Sequence, residues 1–236
     1  MARVLVVEDD PIIRQTVAYA LGRAGFEASA AADGLEGLDL AHRENPDCIV
    51  LDLMLPGLDG YRFAEEVRRT NSEVAIIMVT ALDGDPATGR APEAGADDSP
   101  PTPFALEELL ARVRANLRRV RTRSVLEAEE TIEVGDLEIE PAQLRATVAG
   151  SPARVRLKEF QLLLALARNS GTLMSRQRLA REVWGYEFLP SSRTIDVHIR
   201  RLRQAIEDPS AYRYIHTVHG VGYRFDPQLR DETQAS

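Results

Sequence analysis

Lysine is almost missing from this sequence. Of 29 basic residues in a chain of 236, Lys158 is the one lysine and all others are arginine. The first half therefore offers no side-chain amine to any chemistry that needs one. Cysteine is equally scarce: Cys48 stands alone inside the apolar run CIVLDL, which excludes an internal disulfide and fits a reducing compartment. Four histidines and one cysteine, scattered along the chain, give no zinc-binding spacing. No stretch approaches the roughly 18 apolar residues of a membrane span. The N-terminus, MARVLVVEDD, turns acidic after one short apolar run, unlike a secretory leader. These absences predict a cytoplasmic protein with no membrane segment.

What is present fits a soluble two-domain chain. Its apolar fraction of 44% and charged fraction of 28% are ordinary for globular proteins, and its length exceeds one typical domain. The net charge of -8 hides an asymmetry. Residues 1–118 carry 11 arginines against 21 acids, giving -10, whereas residues 119–236 carry 18 basic residues against 16 acids, giving +2. Within 154–224 the balance is 13 to 6, or +7. An acidic half joined to a basic one suggests two jobs, nucleic-acid binding among them, although a merely dipolar surface would look the same.

Strand and helix patterns alternate in the first half. RVLVV (3–7), FEASAA (26–31), CIVLDL (48–53) and AIIMVT (75–80) read as strands, and the helices between them begin at Pro11, Leu35 and Tyr61. Ile13, Val17 and Leu21 mark the buried face of the first helix. Leu106, Leu109, Leu110, Val113 and Leu117 form one apolar stripe of a last helix. This order predicts a doubly wound parallel sheet. A helix expected at about 84–94 reads GDPATGRAPEA. Interior Pro costs about 3 kcal/mol and Gly about 1 kcal/mol, so it should be short or irregular, broken at Pro92.

The second half changes character. TIEVGDLEIE alternates around Gly135-Asp136, a hairpin signal, and a further turn lies at Gly150 to Pro152. Helical patterns over 158–169, 175–184 and 192–207 precede two strands around Gly220 to Gly222. The expected division is a first domain over 1–120, a linker over 121–130, a second domain over 131–227 and a disordered tail over 228–236.

Ligands of parallel α/β sheets sit beyond the carboxyl ends of the strands. Glu8, Asp9 and Asp10 end the first strand there, Asp52 the third and Thr80 the fourth. Clustered carboxylates repel one another unless a cation lies between them, and oxygen ligands favour Mg²⁺. A carboxylate beside Mg²⁺ and a hydroxyl is suited to accepting a phosphoryl group. Loop carboxylates that cap helices give the same pattern, so spacing alone leaves both readings open.

The segments VLVVEDDP, LDLMLPGLDG, VTA and GADD…PF, in this order over residues 1–118, resemble the receiver domain of two-component response regulators. The resemblance implies a flavodoxin-like five-stranded parallel sheet. It makes Asp52 the phosphoacceptor, with Glu8, Asp9 and Asp52 as Mg²⁺ ligands and Thr80 in contact with the phosphoryl group. Such receivers usually follow GADD with an aromatic residue, two residues and then Lys-Pro-Phe. Here Ser99 stands at the aromatic and Thr102 at the lysine. A charged hydrogen bond is worth about 1.5–3 kcal/mol, so the substitution should weaken phosphate retention or signalling by roughly ten- to a hundredfold.

In SRTIDVHIRRLRQAIE, Ile195, Ile199, Leu202 and Ile206 form one buried face. Arg193, Val197, Arg200, Arg201 and Gln204 fall on the other side, flanked by Asp196 and His198. Arginine and an apolar side chain on one helical face suit the DNA major groove, while a solvated charged helix is the plainer alternative. LKEFQLLLALARN, SRQRLAREVWG, SRTIDVHIRRLRQAIE and IHTVHGVGYRF together resemble the winged-helix effector domain of the OmpR/PhoB family over about 131–226. That resemblance implies base-facing Asp196, Val197 and Arg201. It puts Arg176, Arg193, Thr194, His198, Arg200, Arg203, Thr217 and Tyr223 near phosphates. The wing tip, where the family often has a basic residue, carries His219.

The same resemblance places Glu93, Asp98, Arg112 and Arg114 at cross-subunit salt bridges of a receiver dimer. It implies double-stranded DNA, a sensor histidine kinase, RNA polymerase and, on activation, a second copy of the chain as partners, with no membrane. No separate nucleophile–base pair points to an enzyme. The alternative is a regulator that binds DNA without phosphorylation, its receiver serving dimerisation or protein interaction.

Overall fold

A computed structural model of the chain describes residues 1–71, 73–79, 87–100, 105–117, 130–185 and 194–230, with the side chains of 87–90 excepted. The chain forms two compact units, one built on Met1–Arg118 and the other on Arg119–Ser191 with Ile195–Ser236.

The first unit alternates β1 (Arg3–Val7), α1 (Pro11–Arg23), β2 (Glu27–Ala31), α2 (Gly34–Glu44), β3 (Cys48–Asp52), α3 (Gly60–Thr70), β4 (Ala75–Val79), α4 (Ala87–Ala94) and α5 (Leu106–Asn116). The strands are parallel in the order β2-β1-β3-β4. Alternate residues of each strand serve opposite faces. Val4, Val6, Cys48, Val50, Ile77 and Val79 pack with Val17, Leu21, Leu109 and Val113 of α1 and α5. Leu5, Val7, Ile49, Leu51, Ile76 and Met78 pack with Phe63, Ala64, Val67, Ala91 and Ala94 of α3 and α4. Burial on both faces explains why these strands are unbroken apolar runs. Ile13 departs from expectation: it is exposed, and Val17 and Leu21 make the contact.

The expected five-stranded sheet has four strands among the described residues. The place of the fifth is marked by a single parallel bridge, Ile77 to Asp98. Asp98 N–H donates to the Ile76 carbonyl (3.3 Å) and Met78 N–H to the Asp98 carbonyl (3.0 Å). The next donor of a parallel ladder would be residue 100, and Pro100 has no N–H. The fourth helix is short, with eight residues, but it does not break at Pro92, which lies inside it. Gly95 N–H reaches the Pro92 carbonyl (3.1 Å) and Ala96 N–H the Ala91 carbonyl (3.0 Å), so the end closes without the missing donor.

The second unit opens with a four-stranded antiparallel sheet of β5 (Ile132–Val134), β6 (Leu137–Glu140), β7 (Arg145–Val148) and β8 (Ser151–Pro152). Then come α6 (Leu157–Arg168), β9 (Leu173–Ser175), α7 (Arg176–Trp184), α8 (Thr194–Ile206), β10 (Tyr212–Val218) and β11 (Gly222–Leu229). The last two strands form the wing, and β9 pairs with β11. One core joins Leu162, Leu163, Leu166, Trp184, Ile195, Ile199, Leu202, Ile206 and Phe225. Asp136 ties the opening hairpin to the wing: it accepts from Tyr214 Oη (2.5 Å), Ser210 Oγ (2.6 Å) and Ala211 N–H (3.1 Å). Residues 228–230, expected to open a disordered tail, are instead ordered. β11 runs to Leu229, and Arg230 N–H still donates to the Ala211 carbonyl (2.9 Å), because β10 offers paired backbone that far.

Candidate functional site

The carboxyl ends of β1 and β3 bring Glu8, Asp9 and Asp52 together, with one carboxylate oxygen of each within 4.8 Å of the others. Local structure fixes all three. Asp10 caps α1, its Oδ1 accepting from the amides of Ile12 (2.7 Å) and Ile13 (3.0 Å). Asp10 N–H in turn donates to Glu8 Oε1 (3.3 Å), and Arg14 Nη1 donates to the carbonyls of Glu8 (2.7 Å) and Asp9 (2.9 Å). The capping reading therefore holds for Asp10 and not for the other three acids. Met54 N–H donates to Asp52 Oδ2 (3.1 Å). A Cβ on Gly60 would lie 2.4 Å from the Asp52 carbonyl oxygen, so glycine there lets α3 begin against the end of β3.

The cluster's electrostatics are unfavourable as they stand. Burial, then the Asp52 charge, push the Glu8 carboxyl up to about 7. Burial also holds Asp52 above the ordinary carboxylate range; Asp9 adds to this, and the amides of Leu53 and Met54 oppose it. Three hard oxygen donors, two of them resisting ionisation, are a donor set that a small divalent cation would complete.

Thr80, Thr102 and Arg193 lie outside the described residues. Lys158 cannot stand in for the missing lysine of the first unit. It is buried in the second, where its Nζ donates to the Val183 carbonyl (2.9 Å) and lies 5.4 Å from the Trp184 ring centroid. Ser99 is buried, and its amide donates to Asp98 Oδ1 (2.8 Å). Of the residues assigned to cross-subunit bridges, Glu93 and Arg114 are exposed. Asp98 and Arg112 instead meet inside one chain. Arg112 Nη1 donates to both Asp98 oxygens (2.9 and 3.1 Å) and Nη2 to Glu108 Oε1 (2.6 Å), and both members of the Asp98–Arg112 pair are buried. A cross-subunit role for either begins by opening that pair.

In the second unit, α8 leaves Arg200 and Gln204 exposed and Asp196, Arg201 and Arg203 half-buried. Arg203 Nη2 donates to the Ile215 carbonyl (2.7 Å) and to Thr217 Oγ1 (2.9 Å). His219 is exposed at the wing turn. Four of the expected DNA-facing residues are buried in this conformation: Thr194, Val197, His198 and Tyr223. His198 is the clearest correction. It follows Ile195 by three residues and precedes Leu202 by four, so it belongs to the buried stripe. Its ring lies 5.5 Å from that of Trp184, and Nδ1 is 3.8 Å from Glu159 Oε1. Val197 is covered too, but stands outside the core cluster.

Asp196, Arg176 and Tyr223, each expected to face DNA, also meet one another. Asp196 Oδ1 accepts from Arg176 Nε (2.8 Å) and Tyr223 Oη (2.5 Å). The sequence gives no sign of this trio, because its members are far apart along the chain and share no local spacing.

Comparison with known proteins agrees with both units. Residues 4–114 match the response regulator receiver domain and residues 150–225 the C-terminal domain of transcriptional regulatory proteins. Among curated relatives, response regulator MprA of Mycolicibacterium vanbaalenii is 38% identical over 94% of this chain and 96% of its own. Transcriptional regulatory protein AfsQ1 of Streptomyces coelicolor is 40% identical over 96% and 99%. Among solved structures, the Thermotoga maritima OmpR/PhoB homologue DrrB is 35% identical, covers 96% of this chain and 99% of its own, and superposes with a TM-score of 0.50. A mutant of RitR shares the fold, with a TM-score of 0.71 at 23% identity over 98% of this chain and 100% of its own.

Proposed function

The chain belongs to the OmpR/PhoB family of two-component response regulators, and from that premise we propose that phosphoryl transfer to Asp52 controls DNA binding by the second unit. The observation that carries this reading is the cluster of Glu8, Asp9 and Asp52 at the strand ends, with Glu8 and Asp52 both resisting ionisation. Glu8, Asp9 and Asp52 would hold Mg²⁺, whose charge, when bound, favours the ionised carboxylates and offsets the negative phosphoryl oxygens. Met54 N–H orients Asp52 by engaging Oδ2, and a carboxylate oxygen of Asp52 attacks phosphorus. The P–N bond of a sensor kinase's phosphohistidine breaks as the new O–P bond forms, and the imidazole leaves. Thr80 supplies a hydroxyl to the phosphoryl oxygens.

Acyl phosphate at Asp52 adds up to about two negative charges. It biases the receiver toward a dimer, which sets two winged helices on tandem half-sites of double-stranded DNA and engages RNA polymerase in the cytoplasm. Thr102, in place of the lysine, shortens the phosphorylated lifetime. Arg200, Arg201 and Arg203 with the wing residues Thr217 and His219 form the DNA face, while Glu93 and Arg114 serve the dimer. The second reading, DNA binding without phosphorylation, is favoured by Ser99 and Thr102 and by the Asp98–Arg112 pair held inside one chain.

Incubating the purified protein with acetyl phosphate and Mg²⁺ separates the two. The intact mass should rise by one phosphoryl group, and the Asp52→Asn variant should not gain it. An unmodified wild-type mass would leave the phosphorylation-independent reading standing.

A further inference from the structure

Asp196 is a carboxylate on the half of the chain that is otherwise richest in positive charge. Left to itself there, it would repel phosphates. It is not left to itself. Its Oδ1 accepts from Arg176 Nε (2.8 Å) at the start of α7 and from Tyr223 Oη (2.5 Å) in β11. Arg176 Nη2 reaches the same Tyr223 Oη (3.4 Å), and the Arg176 guanidinium lies 5.0 Å from the Tyr223 ring centroid. Arg203, about two turns along α8 from Asp196, lies 5.9 Å from the same Tyr223 ring. One oxygen atom thus joins the recognition helix, the helix before it and the wing. Burial, then the Asp196 contact, push the Tyr223 phenol up to about 12, so it remains a donor through the physiological range.

We infer that Asp196 is a positioning residue: with the buried Tyr223 as a brace, it serves as the internal counterion that holds Arg176 in place for DNA, and it does not select a base. This rests on the DNA-binding reading above and specifies which residues of that face read sequence and which prepare the surface. Arginine fixed through Nε and one N–H of Nη2 keeps its remaining outer N–H groups for a phosphate while losing the rotamer freedom that binding would otherwise remove. Phosphate contacts position a protein without carrying sequence information, whereas base contacts are felt at one base pair. The two roles therefore leave different signatures. Loss of a positioning carboxylate lowers affinity for every duplex alike. Loss of a base contact through the other oxygen, Oδ2, changes the ranking at a single position. Loss of a bare repulsive charge raises affinity everywhere.

The test uses the full chain, a duplex that it selects from a random-sequence pool, and all single base-pair variants of that duplex. Wild type is compared with Asp196→Asn, Asp196→Ala, Arg176→Ala, Tyr223→Phe and the Asp196→Ala/Arg176→Ala double variant. Asp196→Ala should weaken binding about tenfold on every duplex with the ranking unchanged, and Asp196→Asn by less, since its amide oxygen still accepts from Arg176. The double variant should be within about twofold of the weaker single variant, because the two residues act as a unit. Tyr223→Phe keeps the ring and should weaken binding a few-fold with the same ranking, which preserves the test if Asp196→Ala fails to fold. A changed preference at one base pair, tighter binding throughout, or fully additive losses would overturn the inference. Failure of the wild type to select any duplex would instead overturn the DNA-binding reading on which it rests.

Discussion

Replacing Arg68 with alanine is expected to destabilise the first unit by about 3–5 kcal/mol, the usual cost of removing one partner from a buried ion pair. Arg68 donates through Nε to the Gly95 carbonyl (2.9 Å), through Nη1 to the Val74 carbonyl (2.5 Å) and through Nη2 to Asp97 Oδ2 (2.7 Å). Asp97 Oδ2 also accepts from the Ile76 amide (2.8 Å). The Arg68 and Asp97 side chains are 5% and 9% exposed, so water cannot replace what is lost. The segment they hold follows α4 and stands where a fifth strand would run, with one bridge among the described residues. Arg69→Ala is the contrast: its pair with Glu66 is exposed, one turn apart on a helix, and should matter by less than about 0.5 kcal/mol. The sole tryptophan, Trp184, lies in the second unit. In urea, Arg68→Ala should therefore shift the circular-dichroism transition more than the Trp184 fluorescence transition. A loss below about 1 kcal/mol would contradict the account.

The second large effect concerns pH and divalent cations. Glu8 titrates near 7 in the folded protein against 4.5 in the unfolded chain, because of burial first and the Asp52 charge second. A carboxyl raised on folding contributes stability that is fully present below pH 4.5 and is lost as pH rises through about 7. Discounted for solvent screening, the difference corresponds to about 1–2 kcal/mol. Asp52, raised for the same leading reason, acts in the same direction. Without divalent cations, wild type should thus lose stability relative to Glu8→Gln as pH rises from 5 to 8, and Glu8→Gln should be the more stable of the two at pH 8. Mg²⁺ should stabilise wild type more at pH 8 than at pH 5, since at pH 5 it must first displace the proton that Glu8 keeps, and should do much less for Glu8→Gln. Urea midpoints at pH 5, 6, 7 and 8, with Mg²⁺ or with EDTA, provide the check. A difference between the two proteins that stays flat across this range would contradict the assignment of the cluster.

Local patterns carried much of this fold into view. Continuous apolar runs marked β1, β3 and β4 of the first unit because both faces of these strands are covered, whereas β2, partly exposed, left a weaker pattern. Pro11, Gly135-Asp136 and the Ile195–Ile206 stripe marked a helix start, a hairpin and the recognition helix by rules that act within a few residues. Glu8, Asp9 and Asp52 could be grouped because strand ends of a parallel sheet converge. What escaped depends on long-range contact. Pro100 ends a ladder only when the register against Ile76 and Met78 is known. Sequence and resemblance set His198 beside the DNA face, near phosphates, until its ring is placed against Trp184 and Glu159. The trio of Asp196, Arg176 and Tyr223 and the clasp of Arg68 on Asp97 each join elements distant in sequence, and a sequence offers no spacing by which to see them.

The central claim is that modification of Asp52 controls DNA binding. Its most direct test is the affinity of the full chain for a duplex bearing two tandem copies of its selected half-site, at one fixed salt concentration, with and without acetyl phosphate and Mg²⁺. Dimerisation converts the second half-site contact into an intramolecular one, so affinity should rise by about tenfold or more, with no change for Asp52→Asn. Equal affinities under both conditions, on a wild-type sample shown by mass to be phosphorylated, would contradict the claim.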